Sequence, residues 1–250
     1  MSKRTKEKKI ERAIKCLNTV YKKIPDTKGC LENINKPDGC GGWCCRLQSP
    51  QVLYIEFLNC WKNVINDWSV NDVADLIEAA MNSYVSSGLS KGCIFWNKDT
   101  KLCRCHSKRP FNCYIYGITP EKDFDVRLKK LREEHAEDPT AVIKDQCNLI
   151  STLDGKAITS SSIDKWWKEL IEIECSIGIK KQHINDKPGG SYLTYHDHLL
   201  LQVCSDVIMK QLQILRVFGT EIEKKVAIEG FMKAFRANYS IMLSGKKDEH

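Results

Sequence analysis

The chain contains no run of about 18 apolar residues, and residues 1–15 are too charged to hold the apolar region of a signal peptide. Neither a membrane-spanning helix nor a secretory leader is expected, and the reading is a soluble cytoplasmic protein. No Gly-x-Gly-x-x-Gly or Gly-x-Ser-x-Gly occurs, and Pro188-Gly189-Gly190 is not followed by the Lys-Ser/Thr of a phosphate loop. These absences remove the dinucleotide-binding, serine-hydrolase and P-loop classes. There is no internal repeat, no low-complexity tract beyond the basic start and the polar tail, and little alternating pattern of the kind strands need. Also missing is the Cys-x2-Cys knuckle from which structural zinc ribbons are built.

Cysteine itself is abundant, with thirteen in 250 residues. The odd count and the chain length argue against a secreted disulfide framework and for thiolates gathered around a metal. Eight of them fall in two clusters, Cys30-x9-Cys40-x3-Cys44-Cys45 and Cys93-x9-Cys103-x-Cys105-x7-Cys113. Cysteine sulfur binds soft and borderline cations as the anion, so the pattern points to a metal or iron-sulfur site. Gly41 and Gly42 allow the backbone to approach a bulky group and offer amide N–H groups to its sulfurs. Adjacent Cys44 and Cys45 project in different directions from an ordinary backbone, which favours two metals, two irons of one cluster, or one ligand beside one supporting thiol.

The formal charge of +7 is modest, and much of the excess lies in Lys3, Arg4, Lys6, Lys8, Lys9, Arg12 and Lys15. This reads as a solvated helix face. A nucleic-acid partner is disfavoured because no stacking aromatics are interleaved with the charges. Apolar residues at helical spacing (Ile10, Ala13, Ile14, Leu17, Tyr21) predict a helix over about 5–23, and residues 26–48 read as an irregular loop. Ser49-Pro50 predicts a helix start, and Ser69 with Asp72 a second one. Further helices are expected after Pro120, from Ser162 through the Trp166-Trp167 core, from Thr194 through about Phe218, and from Thr220 onward. The expected fold is mainly α, with irregular cysteine-rich metal-binding loops between helices and a C-terminal helical bundle. The expected division is a metal-binding domain over 1–120 and a helical domain over 121–250.

Gly92-Cys93-Ile94-Phe95, Cys103 and Arg109-Pro110-x2-Cys113, following Cys40-x3-Cys44-Cys45, form a linear signature. Over roughly residues 30–116 it resembles the YkgJ-type family, described as a zinc- or iron-chelating cysteine domain, and more loosely the cysteine motifs of flagellin lysine N-methylases. The resemblance implies that Cys40, Cys44, Cys45, Cys93, Cys103 and Cys113 are metal-binding positions, with Cys30 as an upstream counterpart. Arg109, placed with Gly41 and Gly42 around the cofactor, reads as a partner for cluster charge, a donor to a substrate carboxylate, or a side chain that holds the turn, and the resemblance favours the last. Cys105 and His106 stand where the family usually has an aliphatic residue and a tyrosine. Cys105 is therefore read as an added ligand, a reactive thiol, or a small buried residue.

Outside the clusters, Tyr195-His196-Asp197-His198 carries the remaining chemistry. One reading is a capped helix start with one histidine exposed and one packed. The other has Tyr195, His196 or Asp197 pointing back at the cluster as acid or base. Cys16, Cys60, Cys147, Cys175 and Cys204 read as small inert hydrophobes.

Two functions follow. The first is an iron-sulfur protein, with a 4Fe–4S cluster favoured, doing redox or sulfur/group-transfer chemistry on a peptide, protein or small molecule, with Cys105 and His196 as its catalytic candidates. The second is a zinc-stabilised binding module for a protein or nucleic-acid partner.

Overall fold

The computed structural model describes residues 3–29, 42–47, 49–86, 92–134, 136–137, 147, 149–184 and 193–244. Cys30, Cys40, Gly41 and the Pro188-Gly189-Gly190 break lie outside the described residues. The described chain is mainly helical, with α1 (Lys3–Tyr21), α2 (Trp43–Leu47), α3 (Tyr54–Asp67), α4 (Val70–Val85), α5 (Phe111–Ile115), α6 (Glu121–Glu134), α7 (Ser160–Ser176), α8 (Tyr195–Val203), α9 (Asp206–Phe218) and α10 (Glu221–Ser244). Two short strands, β1 (Thr27–Lys28) and β2 (Ser151–Thr152), pair antiparallel with Thr27 opposite Thr152. No helix among the described residues is long and apolar enough to cross a membrane.

Two compact units share these elements: residues 1–60 with 89–195, and residues 61–88 with 196–250. This differs from the expected division at residue 120. Helices beyond 120 join the N-terminal segment because α1 and α7 present matching apolar stripes and pack on one another. Leu17, Val20 and Tyr21 of α1 meet Trp167, Leu170 and Ile171 of α7, with Phe111, Ile115, Leu53 and Ile55 completing this core. Lys23 pairs with Glu169 at its edge.

In the second unit, α4 packs against α9 and α10. Ser69 caps α4 by accepting from the Asp72 amide at 3.2 Å, as the sequence pattern requires. Val73, Leu76, Ile77, Ala80 and Met81 are buried along it, and Ile228 and Met232 are buried on α10. Arg236 reaches back to Asp75 at 3.0 Å and Glu78 at 3.1 Å. The single helix expected from Thr194 to Phe218 is broken at Cys204–Ser205, where the Ser205 hydroxyl caps a new helix at Ile208. The break reorients the second half, leaving Val207 exposed instead of inside.

The start of α3 positions much of the first unit, and it lies five residues later than Ser49-Pro50 predicts. The intervening residues are held extended, Gln51 bridging Thr194 and the Val52 amide donating to the Leu193 carbonyl at 2.9 Å. Two buried carboxylates then satisfy the amides at the helix N-terminus. Glu56 accepts from Leu53 N at 2.8 Å, and Glu174 of α7 accepts from Tyr54 N and Ile55 N at 2.8 Å each. Glu56 also takes the Tyr21 hydroxyl and the Phe111 amide at 2.7 Å, so one carboxylate ties α1, α3 and α5 together.

Burial raises Glu174 from its ordinary value of 4.5 to about 7, against the two amide bonds that lower it. The folded chain thus binds a proton that the unfolded chain releases between pH 4.5 and 7, and stability falls as pH rises through that window. Relative to Glu174→Gln, which does not titrate, the wild type is expected to lose up to about 3 kcal/mol between those limits. Urea unfolding of both proteins at pH 5 and pH 7.5 measures this. Parallel pH profiles would rule it out.

Candidate metal centre

Four segments of the first unit bring cysteines together. Gly42 turns the chain into α2 with φ +73°, a left-handed conformation in which glycine avoids the Cβ penalty. A Cβ there would stand 2.5 Å from Trp96 Nε1, so the glycine also makes room for the indole. α2 carries Cys44 and Cys45 on a helical turn where a loop was expected, and their sulfurs stand 3.9 Å apart. The two sulfurs thus approach each other although neighbouring residues of a helix project in different directions.

Gly92-Cys93 lies against the end of this turn, the Cys93 amide donating to the Cys45 carbonyl at 2.6 Å. Any Cβ at residue 92 would meet the Arg46 carbonyl oxygen at 2.8 Å. Residues 95–104 then form a tight hairpin, with Trp96 bridged to Cys103 and Arg104 N donating to Phe95 O at 2.8 Å. Asn97 closes its turn by accepting from the amides of Asp99 and Thr100 at 2.9 Å each. The hairpin places Cys103 opposite Trp96, three residues beyond Cys93. A 3₁₀ turn at His106–Lys108 and Pro110, which precedes α5, place Cys113 on the first turn of that helix.

Burial and neighbouring charge act together on these thiols. Burial raises the Cys93 thiol well above its ordinary range, Cys103 and Cys44 raise it further, and backbone hydrogen bonds from Phe95 and Trp96 pull the other way. Burial also raises Cys113, helped by Cys93, Cys103 and Cys44 and opposed by Arg109. Cys103 is raised by burial and Cys44, and lowered by the Cys105 amide and Arg109. Cys45 is raised first by its hydrogen bond with Cys44, then by burial and by Cys93 and Cys113. Every pair among Cys44, Cys93, Cys103 and Cys113 thus lies within electrostatic range. Among the described residues, no three His, Cys, Asp or Glu side chains meet closely enough to hold an ion between them.

Donors surround this set. Arg109 donates to His106 Nε2 at 3.1 Å and to Thr27 Oγ1 at 3.3 Å, and lies 4.3 Å over the Tyr114 ring. Its Nε, the indole N–H of Trp96 and the hydroxyl of Tyr195 are buried with no hydrogen-bond partner among the described residues. Burial, with Arg109 adding to it, lowers His106 from its ordinary value, so this imidazole is the acceptor for Arg109.

The sulfurs are all soft ligands, backbone amides are directed at Cys93 and Cys103, and a cation lies beside Cys103 and Cys113.

Other expected site residues fall differently. Cys105 is joined to Cys60 of α3 in a disulfide, so it is not the free thiol of the catalytic reading, and Cys60 is not an inert core thiol. The pairing spans 45 residues and links α3 to the segment that follows the hairpin. His196 and His198 are both buried on α8, where the sequence reading has one exposed. His196 Nε2 lies 3.8 Å from Asp197 Oδ1, and both belong to the second unit, whereas Tyr195 belongs to the first with the cysteines. Cys16 is exposed on α1, not packed. The sequence reading missed Glu56 and Glu174. The available signal for Glu56 was its place three residues after Leu53, the capping-box spacing.

Compared with protein-family models, curated proteins and solved structures, the chain has no match.

Proposed function

We propose that this is a cysteine-ligated metal protein, with an iron-sulfur cluster as the favoured group, held by Cys44, Cys93, Cys103 and Cys113. The observation that supports it most is that these four thiols, from four segments of the first unit, lie within electrostatic range of one another, Cys93 buried and the other three half-buried. Burial of several neutral thiols side by side gains the chain little as packing, since each is a small hydrophobe at best. As thiolates around a cation they become strong ligands, and the amide and guanidinium donors that oppose their raised pKa values are then directed at negative charge.

The same residues carry the linear signature that resembles the YkgJ-type domain, and Cys45 remains as an adjacent thiol 3.9 Å from Cys44. The absence of any Cys-x2-Cys knuckle favours iron-sulfur over structural zinc. When bound, such a group supplies a one-electron redox centre or a soft Lewis acid. We assign the chain to redox or sulfur/group-transfer chemistry on a peptide, protein or small molecule. The compartment we propose is the reducing cytoplasm. Among the described residues nine cysteines lie outside the one disulfide, the balance expected of a reducing compartment.

Anaerobic purification followed by iron, zinc and acid-labile sulfide analysis, with a visible spectrum, tests the reading. Iron with sulfide in a brown protein is the expected result. Stoichiometric zinc in a colourless protein would replace it with the zinc-stabilised binding module, and a metal-free chain would overturn both.

A further inference from the structure

The last two helices of the second unit carry more apolar surface than the unit buries. α9 buries Leu212, α10 buries Ile228 and Met232, and both helices pack against α4. Val207, Ile214, Val217 and Phe218 of α9, with Ile222 and Val226 of α10, remain 60% to 81% exposed. Their spacing is helical. Val207, Ile214 and Phe218 share one side of α9 with Val217 beside them, and Ile222 and Val226 lie one turn apart on α10. Only Gly219 and Thr220 separate the helices, so the two stripes meet where the chain turns from α9 into α10.

Single exposed apolar residues need no explanation, but a contiguous patch does. These side chains leave on the order of 700 Å² of apolar surface in water, above the roughly 300–600 Å² of the largest patch on a typical monomer. That area approaches the ~800 Å² which each partner contributes to a standard protein interface. A two-fold axis sets one patch against its own copy, so a single face of this size supplies both sides of such an interface. The rim is mixed in sign, with Lys210 on α9 and Glu223, Lys225 and Glu229 on α10. A mixed rim suits a self-complementary contact in which the bases of one copy meet the acids of the other. It is unlike the basic rim of a face that lies on anionic lipid.

We propose that this face of α9 and α10 joins two copies of the chain in a two-fold symmetric dimer, with Phe218 and Ile222 at its centre. The dimer is independent of the metal reading, since none of these residues belongs to the first unit.

Sedimentation velocity of the full chain between about 1 and 100 μM, in anaerobic reducing buffer, tests this. Wild type is expected to pass from monomer to dimer across the range. Phe218→Lys and Ile222→Glu each set like charges against one another across the axis. Each is expected to raise the dimer dissociation constant at least about 30-fold, the loss typical of a central anchor. Both side chains lie mostly in water, so the melting temperature of the dilute protein should not change. Val126→Glu, at an exposed position on α6 of the first unit, should leave the dimer intact. Hydrogen exchange of the unsubstituted chain gives a second readout. Amides of α9 and the first turns of α10 should exchange more slowly in concentrated than in dilute solution. A wild type that stays monomeric throughout, a dimer that both patch variants preserve, or concentration-dependent protection confined to other elements would each overturn the proposal. A monomeric wild type that floats with vesicles of anionic phospholipid would overturn it in favour of a membrane-facing surface.

Discussion

Replacing Cys113 with serine is expected to cost the protein its tightly held metal, with retention falling by at least about 100-fold after dialysis against a chelator. Structural zinc contributes about 10–16 kcal/mol in small metal-folded domains, and sharing this among four thiolates assigns each about 3 kcal/mol, or about 100-fold in affinity. Cys113 is the ligand to test first because the charge of each of the other three thiols, with burial, raises its pKa. Cys44→Ser, Cys93→Ser and Cys103→Ser should behave alike. Cys16→Ser and Cys204→Ser should keep the metal, since Cys16 is exposed on α1 and burial alone raises Cys204, to about 11. Metal content per chain, measured across the six variants, checks the assignment. A metal kept by Cys113→Ser and lost by Cys16→Ser would defeat it.

Glu56→Ala is expected to lower the free energy of unfolding by about 3–5 kcal/mol, the cost typical of breaking a buried charged network on one side. The side chain is 2% exposed and accepts three hydrogen bonds, from the Tyr21 hydroxyl, the Leu53 amide and the Phe111 amide. Alanine leaves all three donors buried without a partner, each at on the order of 1–3 kcal/mol. Removing a carboxyl that burial has already raised in pKa returns part of this, which keeps the total below the simple sum. Glu56→Gln retains an acceptor oxygen and should cost less than half as much. Urea unfolding of the three proteins gives the comparison, and a loss below about 1 kcal/mol for alanine would show that the network does not hold α1, α3 and α5 together.

The helices with clear apolar stripes were legible in the sequence. α1, α4 and α7 follow Leu17 and Tyr21, Leu76 and Ile77, and Trp167 and Leu170, because 3.6-residue periodicity survives wherever a helix buries one face. Boundaries set by distant partners were not legible. Ser49-Pro50 carries good local helix-start chemistry, yet the bridge of Gln51 to Thr194 and the bond of Val52 to Leu193 hold that segment extended. The break at Ser205 looks like an ordinary polar position in an apolar run, and only its cap to Ile208 reveals the new helix.

At the candidate site, residue types identified the cysteines, while their mutual approach depends on the hairpin at 95–104, which has no long alternating pattern to announce it. The pairing of Cys60 with Cys105 had no local signal at all, since Cys60 lies on the apolar side of a helix, where a cysteine reads as a small core residue. Tyr195 was in view from sequence only as one of several polar groups. Its hydroxyl is buried with no hydrogen-bond partner among the described residues, which only the fold reveals.

X-ray absorption at the metal edge of the anaerobically purified chain tests the central claim most directly. The account predicts a first coordination sphere made of sulfur alone, at about 2.3 Å from the metal, with metal–metal scattering if the group is a cluster. A first sphere of nitrogen or oxygen would contradict it, because the four thiols brought together in the first unit would then not be the ligands.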